Sequence, residues 1–220
     1  MTKFKTLLLA AIFGFATTPL MADSSDFAGP YIGVQATAIG IELDGKYTDN
    51  DSVETKGTGG KVLPIAGGDI GFGFALGDSF VLGVGATMIS ATEEISKADD
   101  AADAADVTLK LKDHTTYYLM PTFVVSDSSA LYLKVGTAEA DLSVTGNVTG
   151  KPNDLEGTMW AVGTKTVLGS FFINTEAGVT DYDKITLTGI GTASSGSDGD
   201  GTMTADPTAA HGSITIGVQF

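Results

Sequence analysis

The chain has 220 residues, 43% of them hydrophobic, with 12 lysines, no arginine, 27 acidic residues and a formal charge of −15. So acidic a chain lacks the basic patches that neutralise phosphate, which excludes nucleic acid as a partner. It has no cysteine, which excludes disulfides and thiolate chemistry, and its apolar content is too high for disorder.

Chain order begins with a secretory signature. Lys3 and Lys5 precede an apolar run at 7–15, followed by Thr17, Thr18, Pro19 and the small residue Ala22. Nine apolar residues fall well short of the ~20 that a spanning helix needs, so this is a signal peptide and not a membrane anchor. Cleavage between Ala22 and Asp23 makes 1–22 the signal peptide and 23–220 a single domain. It removes two lysines and no acid, taking the formal charge to −17.

Downstream, short and long punctuation alternate. Gly77-Asp78-Ser79, Asp127-Ser128-Ser129 and Gly169-Ser170 are tight hairpin turns. Long polar loops are expected at 44–61, 93–106, 141–157 and 186–212. Three tight turns and four long loops connect eight strands, at 29–43, 62–76, 80–91, 107–126, 130–139, 158–168, 171–185 and 213–220. This is the layout of an all-β, eight-stranded antiparallel up-and-down transmembrane barrel, with short turns on the periplasmic side and long loops outside.

Period-two alternation supplies a lipid face: Ile70, Phe72, Phe74 and Leu76 on the second strand, Phe80 to Met88 on alternate positions of the third, and Leu131, Leu133 and Val135 on the fifth. Strand one breaks the pattern. Ile32, Val34, Ala36 and Ala38 share one parity, Ile39, Ile41 and Leu43 the other, so a bulge near Gly40 is expected. Phe72, Phe74, Phe80, Phe123, Phe171 and Phe220 fit a periplasmic aromatic girdle, with Trp160, Tyr117 and Tyr182 at the outer one.

The opposite parity is small or polar and would line the lumen. Leu168 facing Phe171 across a two-residue turn sets Lys165 opposite Asn174 and diagonal to Glu176, within reach of each other. Asp69 and Lys134 extend this candidate lumen ion-pair network. Unpaired charge in a narrow interior is costly, which favours a plug over a selectivity element, while the many inward glycines leave room for water.

Other candidates are weaker. His114 and His211 sit in no nucleophile motif and read as surface or girdle residues, so no catalytic residue is assigned. Asp198-Gly199-Asp200-Gly201 lacks the sixth-position glycine and the closing glutamate of a calcium loop. Asp99, Asp100, Asp103, Asp106, Asp198, Asp200 and Asp206 read as solvated loop acids, so no metal and no cofactor is expected. Gly71 to Gly77 and Gly83 to Gly85 lie within strands, not at a strand-to-helix turn, which excludes phosphate binding.

The last strand places Ile214, Ile216, Val218 and Phe220 on one face and ends on the aromatic itself. With Gly29-Pro30-Tyr31-Ile32-Gly33-Val34 at the other end of the domain, this ending resembles the small outer-membrane β-barrel family, which includes opacity-type porin-like proteins and the membrane domain of OmpA-type proteins. The resemblance implies residence in the bacterial outer membrane, contact with its lipid and lipopolysaccharide, and insertion by machinery that reads the terminal strand. It also implies a non-enzymatic role, structural or porin-like with slow passage of small solutes at most. The alternatives are an adhesion or interaction protein acting through its acidic loops and, less favoured, a lipid-modifying enzyme.

Overall fold

The structure, a computed structural model, describes residues 23–48, 52, 54–97, 108–145, 152, 154–190 and 201–220. Ala22, the signal peptide and the loop acids Asp99 to Asp106, Asp198 and Asp200 lie outside them. A 3-10 turn at Ser24–Phe27 precedes strands β1 Gly29–Thr48, β2 Glu54–Ala75, β3 Phe80–Lys97, β4 Thr108–Ser126, β5 Ser129–Thr145, β6 Leu155–Leu168, β7 Phe171–Tyr182, β8 Ile185–Ile190 and β9 Gly201–Gln219.

Each strand pairs antiparallel with its neighbour, and β9 pairs with β1 to close the ring. β7 and β8 are two segments of one barrel strand, since both lie against β9 and only Asp183 and Lys184 separate them. The barrel therefore has eight strands, the seventh broken where a continuous run to 185 was expected. The tight turns fall at 76–79, 127–128 and 169–170. Two of them use left-handed glycines, Gly77 and Gly169, with φ of 85° and 64°.

The alternating side chains sort as a bilayer requires. Ile32, Val34, Ile70, Phe72, Phe74, Met88, Leu119, Leu131, Ile173, Ile214 and Ile216 face outward. Phe80, Phe123 and Phe171 join them near the periplasmic turns, while Tyr117 and Trp160 stand higher. Going up the outside, the first acids are Glu42 on β1, Asp113 on β4, Glu139 on β5, Glu156 on β6 and Asp181 on β7. About 10 residues separate rim from acids, roughly 33 Å along a strand and about 25 Å along the axis at a tilt of about 40°, the height of a hydrocarbon band.

Above the acids the strands continue, and here the architecture departs from expectation. Most of 44–61 and the whole of 201–212 are strand and not loop. The β2–β3 ladder ends at Gly68↔Met88, leaving 54–67 of β2 paired with β1 alone. Among the described residues, β8 pairs only with β9, and β5 beyond Ala140 pairs only with β4. Among the described residues, the outer half is thus two sheets, β8-β9-β1-β2 and β3-β4-β5. They face each other across an apolar cluster that includes Ile39, Ile41, Leu43, Leu63, Leu109, Ala140, Ile185 and Leu187.

This cluster explains the irregular first strand. β1 pairs without any register shift, and Tyr31, Gln35, Thr37, Ile39, Ile41 and Leu43 all point inward. No bulge occurs at Gly40. The interior itself changes from polar below to apolar above, so the hydrophobic parity flips in the sequence while the backbone stays regular. Register shifts fall instead on β3, which has an extra residue between Ile89 and Thr92 against β4, and on β4, which has one between Lys112 and Thr115 against β5, around Asp113 with its φ of +42°. Below it even residues such as Thr116 and Tyr118 point inward; above it Leu109 and Leu111 do.

Candidate functional site

The lumen is built in layers from the periplasmic end. The Ser24–Phe27 turn folds under the mouth, with Asp23 accepting from the Ser25 N–H as its N-cap. Ser24 donates from its backbone N–H to Asp78 O at 3.0 Å, and Phe27 is buried against the cluster of Tyr31, Val81, Val124 and Phe172. Gln219, next to the C-terminus, donates from Nε2 to Asp26 O and Ala28 O, each at 2.8 Å, so the two ends of the domain are tied together.

Above this stopper, inward glycines meet aromatic rings. Tyr31 lies opposite Gly71, Tyr118 opposite Gly85, Tyr132 opposite Gly163 and Phe172 opposite Gly217. A Cβ on Gly85 would come within 2.6 Å of both Tyr118 Oη and Ile70 O, and one on Gly217 within 2.5 Å of the Phe172 ring. The glycines are the seats on which rings from the next strand lie. They do not leave the lumen open to water, as their parity alone suggested.

The four lumen charges converge, though not in the expected pairs. Lys134 Nζ lies 2.7 Å from Glu176 Oε2, both side chains being at most 4% exposed. Lys165 sits opposite Asn174, as the turn geometry requires, yet its ammonium turns down to donate to Gln219 Oε1 and lies 5.0 Å from the Tyr31 ring. Lys165 and Glu176 therefore form no ion pair. The diagonal argument considered one hairpin, whereas the barrel also offers Lys134 from β5, which reaches over the small side chain of Ala161 on β6. Asp69 accepts from Thr87 Oγ1 at 2.9 Å and Tyr118 Oη at 2.8 Å, while Tyr118 and Tyr31 hydroxyls share a hydrogen bond of 2.9 Å. Lys134 also stacks over the Tyr118 ring at 4.3 Å.

Next comes a chamber of about 40 Å³ between this network and the apolar cluster. Both histidines enter it, correcting their assignment to the surface. His211 Nε2 lies 3.1 Å from Glu176 Oε1, and His114 Nε2 lies 2.8 Å from Tyr182 Oη across the lumen. Tyr182 is consequently an interior residue and not part of the outer girdle. His114 continues the even, inward parity of Thr116 and Tyr118 on β4. His211 carried a readable signal, since it faces Gly178 in the same ring-over-glycine arrangement as the tyrosines. Among the described residues no group of three potential ligands is arranged to hold a metal ion.

The terminal strand places Ile214 and Ile216 toward lipid. Phe220 donates its backbone N–H to Pro30 O at 3.0 Å, and its ring is 78% exposed at the rim.

No protein-family model matches the chain, and no curated protein does. Among solved structures it resembles the outer membrane protein OprG from Pseudomonas aeruginosa, with 14% identity and a TM-score of 0.55 over 91% of this chain and all of that one. Looser likenesses are the attachment invasion locus protein Ail of Yersinia pestis (10% identity, TM-score 0.43, 86% of this chain and 99% of that one) and Neisserial surface protein A (12%, 0.41, 88% and 98%). The continuous apolar band, the closed ladder and the likeness to OprG converge: the chain has the fold of the small eight-stranded barrels of the bacterial outer membrane.

Proposed function

We propose that this protein is a sealed outer-membrane barrel with a structural and surface-interaction role, and not a pore. The supporting observation is that the lumen is occupied at three successive levels: Phe27 and its neighbours at the periplasmic mouth, the Lys134–Glu176 and Asp69 networks in the middle, and the apolar cluster above. Asp69, Lys134, Lys165 and Glu176 then act as a plug that satisfies interior charge. The refolded protein in planar bilayers is expected to show no conductance steps; sustained unitary conductance would overturn the sealed-barrel reading.

The two-sheet extension supports the interaction role, because it carries strand-built surface well beyond the height of the acidic ring. A variant in which a two-residue turn replaces 44–59 is expected to insert normally and to lose binding to cells or envelope partners. Retained binding by that variant would remove the extension from the role. This reading includes no catalysis. His211 does lie beside a carboxylate, but Glu176 is already committed to Lys134 and the dyad lies inside the barrel beneath the apolar cluster. The terminal strand Ile214, Ile216, Val218 and Phe220 serves as the assembly signal in the same reading, with outer-membrane lipid and lipopolysaccharide as the surroundings of the apolar band.

A further inference from the structure

The chamber that holds the two histidines combines three properties. It is lined by buried charged side chains, Lys134 and Glu176, it gathers further titratable groups around them, and it adjoins a place where the barrel wall has no backbone ladder. Its volume of about 40 Å³ has room for on the order of three waters. Its lining includes Ile65 and Ile89, which stand just above Gly68↔Met88, the last pair of the β2–β3 ladder. Past that point, among the described residues, a side-chain bond from Lys61 Nζ to Glu94 O, at 2.9 Å, crosses between the two strands.

The groups facing the imidazoles come from several strands. β7 supplies Glu176 and Tyr182, β5 supplies Lys134, and β4 and β9 supply His114 and His211 themselves. Asp69 on β2 lies below, turned toward Thr87 and Tyr118, with Tyr132 of β5 on the far side of Lys134. β1, β3 and β6 contribute no titratable group to the lining. With both imidazoles neutral, one ammonium faces one carboxylate.

We propose that the chamber is an acid-responsive joint, in which protonation of His114 and His211 sets three cations against the single carboxylate of Glu176 and drives the chamber to swell and hydrate toward the β2–β3 seam. A charged ring at 211 has the Glu176 carboxylate beside it, whereas one at 114 has only the hydroxyl of Tyr182 as partner. Among side chains as buried as Lys134, Glu176 and His211 like charges are poorly screened, and the wall yields where hydrogen bonds are missing. Only the folded barrel is required, so the joint stands or falls independently of whether the protein forms a pore or binds a surface.

The test is amide hydrogen exchange by mass spectrometry on the full protein refolded in detergent micelles at pH 7.5 and pH 5.0, with rates normalised to those of unstructured peptides. In the wild type, protection in peptides covering 62–70 and 84–92 is expected to fall about tenfold at pH 5.0 relative to peptides from the β5–β6 ladder, the size of effect one unit of proton linkage produces. In a His114→Gln/His211→Gln variant the fall is expected to vanish. Equal protection of the wild type at both pH values would overturn the proposal without any variant, as would a fall that persists in the double variant. If the double variant does not migrate as a folded barrel on unheated gels, His114→Gln alone, which keeps a polar partner for Tyr182, supplies the comparison.

Discussion

Of the interior contacts, the Lys134–Glu176 pair makes the sharpest demand on stability. Its 2.7 Å separation and near-complete burial make each charge the other's principal partner. Lys134→Met leaves Glu176 with His211 at 3.1 Å as its nearest charged partner; Glu176→Gln leaves Lys134 with the faces of Tyr118 and Tyr132, at 4.3 and 5.9 Å. Removing one member of a buried pair costs about 3–5 kcal/mol, a large share of the roughly 5–15 kcal/mol that holds a domain folded. The double variant loses both charges together and is expected to cost less than the two single costs added, with a coupling of about 2 kcal/mol. Urea titration of the protein refolded in lipid vesicles, followed by Trp160 fluorescence, measures all three. The same cycle on Lys165→Met and Glu176→Gln is expected to give coupling below about 0.5 kcal/mol, since Lys165 spends its hydrogen bond on Gln219. A larger coupling for Lys165 than for Lys134 would refute the assignment of partners.

Other consequences follow from the layers of the barrel. Phe27→Ala empties a side chain that is 1% exposed and is expected to cost about 3–5 kcal/mol by the same titration, although this residue lies outside every membrane strand. Gly85→Ala forces a Cβ to 2.6 Å from Ile70 O and the Tyr118 hydroxyl; it is expected to lower the heat-modification temperature on gels, whereas Gly212→Ala, with nothing nearer than 4.0 Å, leaves it unchanged. Leu119→Arg sets a cation on the lipid face and is expected to cost about 2–4 kcal/mol in vesicles, against little for the same change at Thr137 near the acidic ring. Deleting Phe220 removes the N–H bond to Pro30 and the rim aromatic, so folded barrel in outer-membrane fractions is expected to drop severalfold; normal insertion of that truncation would show that the terminal residue is no assembly signal.

Much of this molecule was legible in one dimension. Side chains of a strand alternate by geometry, and a bilayer admits no charge on one side, so the lipid faces of β2, β3, β5 and β7 follow from period-two reading alone. The tight turns announce themselves through Gly77 and Gly169, and the Leu168↔Phe171 pairing followed from a two-residue turn. Interior chemistry was harder to read. Glycine parity suggested an open lumen because the rings that fill it come from neighbouring strands. The apolar side chains of 39, 41 and 43 suggested a bulge because nothing local says that the barrel interior becomes a two-sheet core at that height.

The sequence by itself determined the strand count, the lipid-facing parity and the inward direction of the four charges, since each depends on spacing within one strand or one hairpin. Only the tertiary structure decided that Glu176 takes Lys134 and leaves Lys165 to Gln219, that register shifts fall on β3 and β4 and not on β1, and that His114 and His211 share a chamber with Tyr182. Those outcomes depend on which strands come near each other around a closed ring, a relation between residues far apart in the chain that alternation along a strand does not contain.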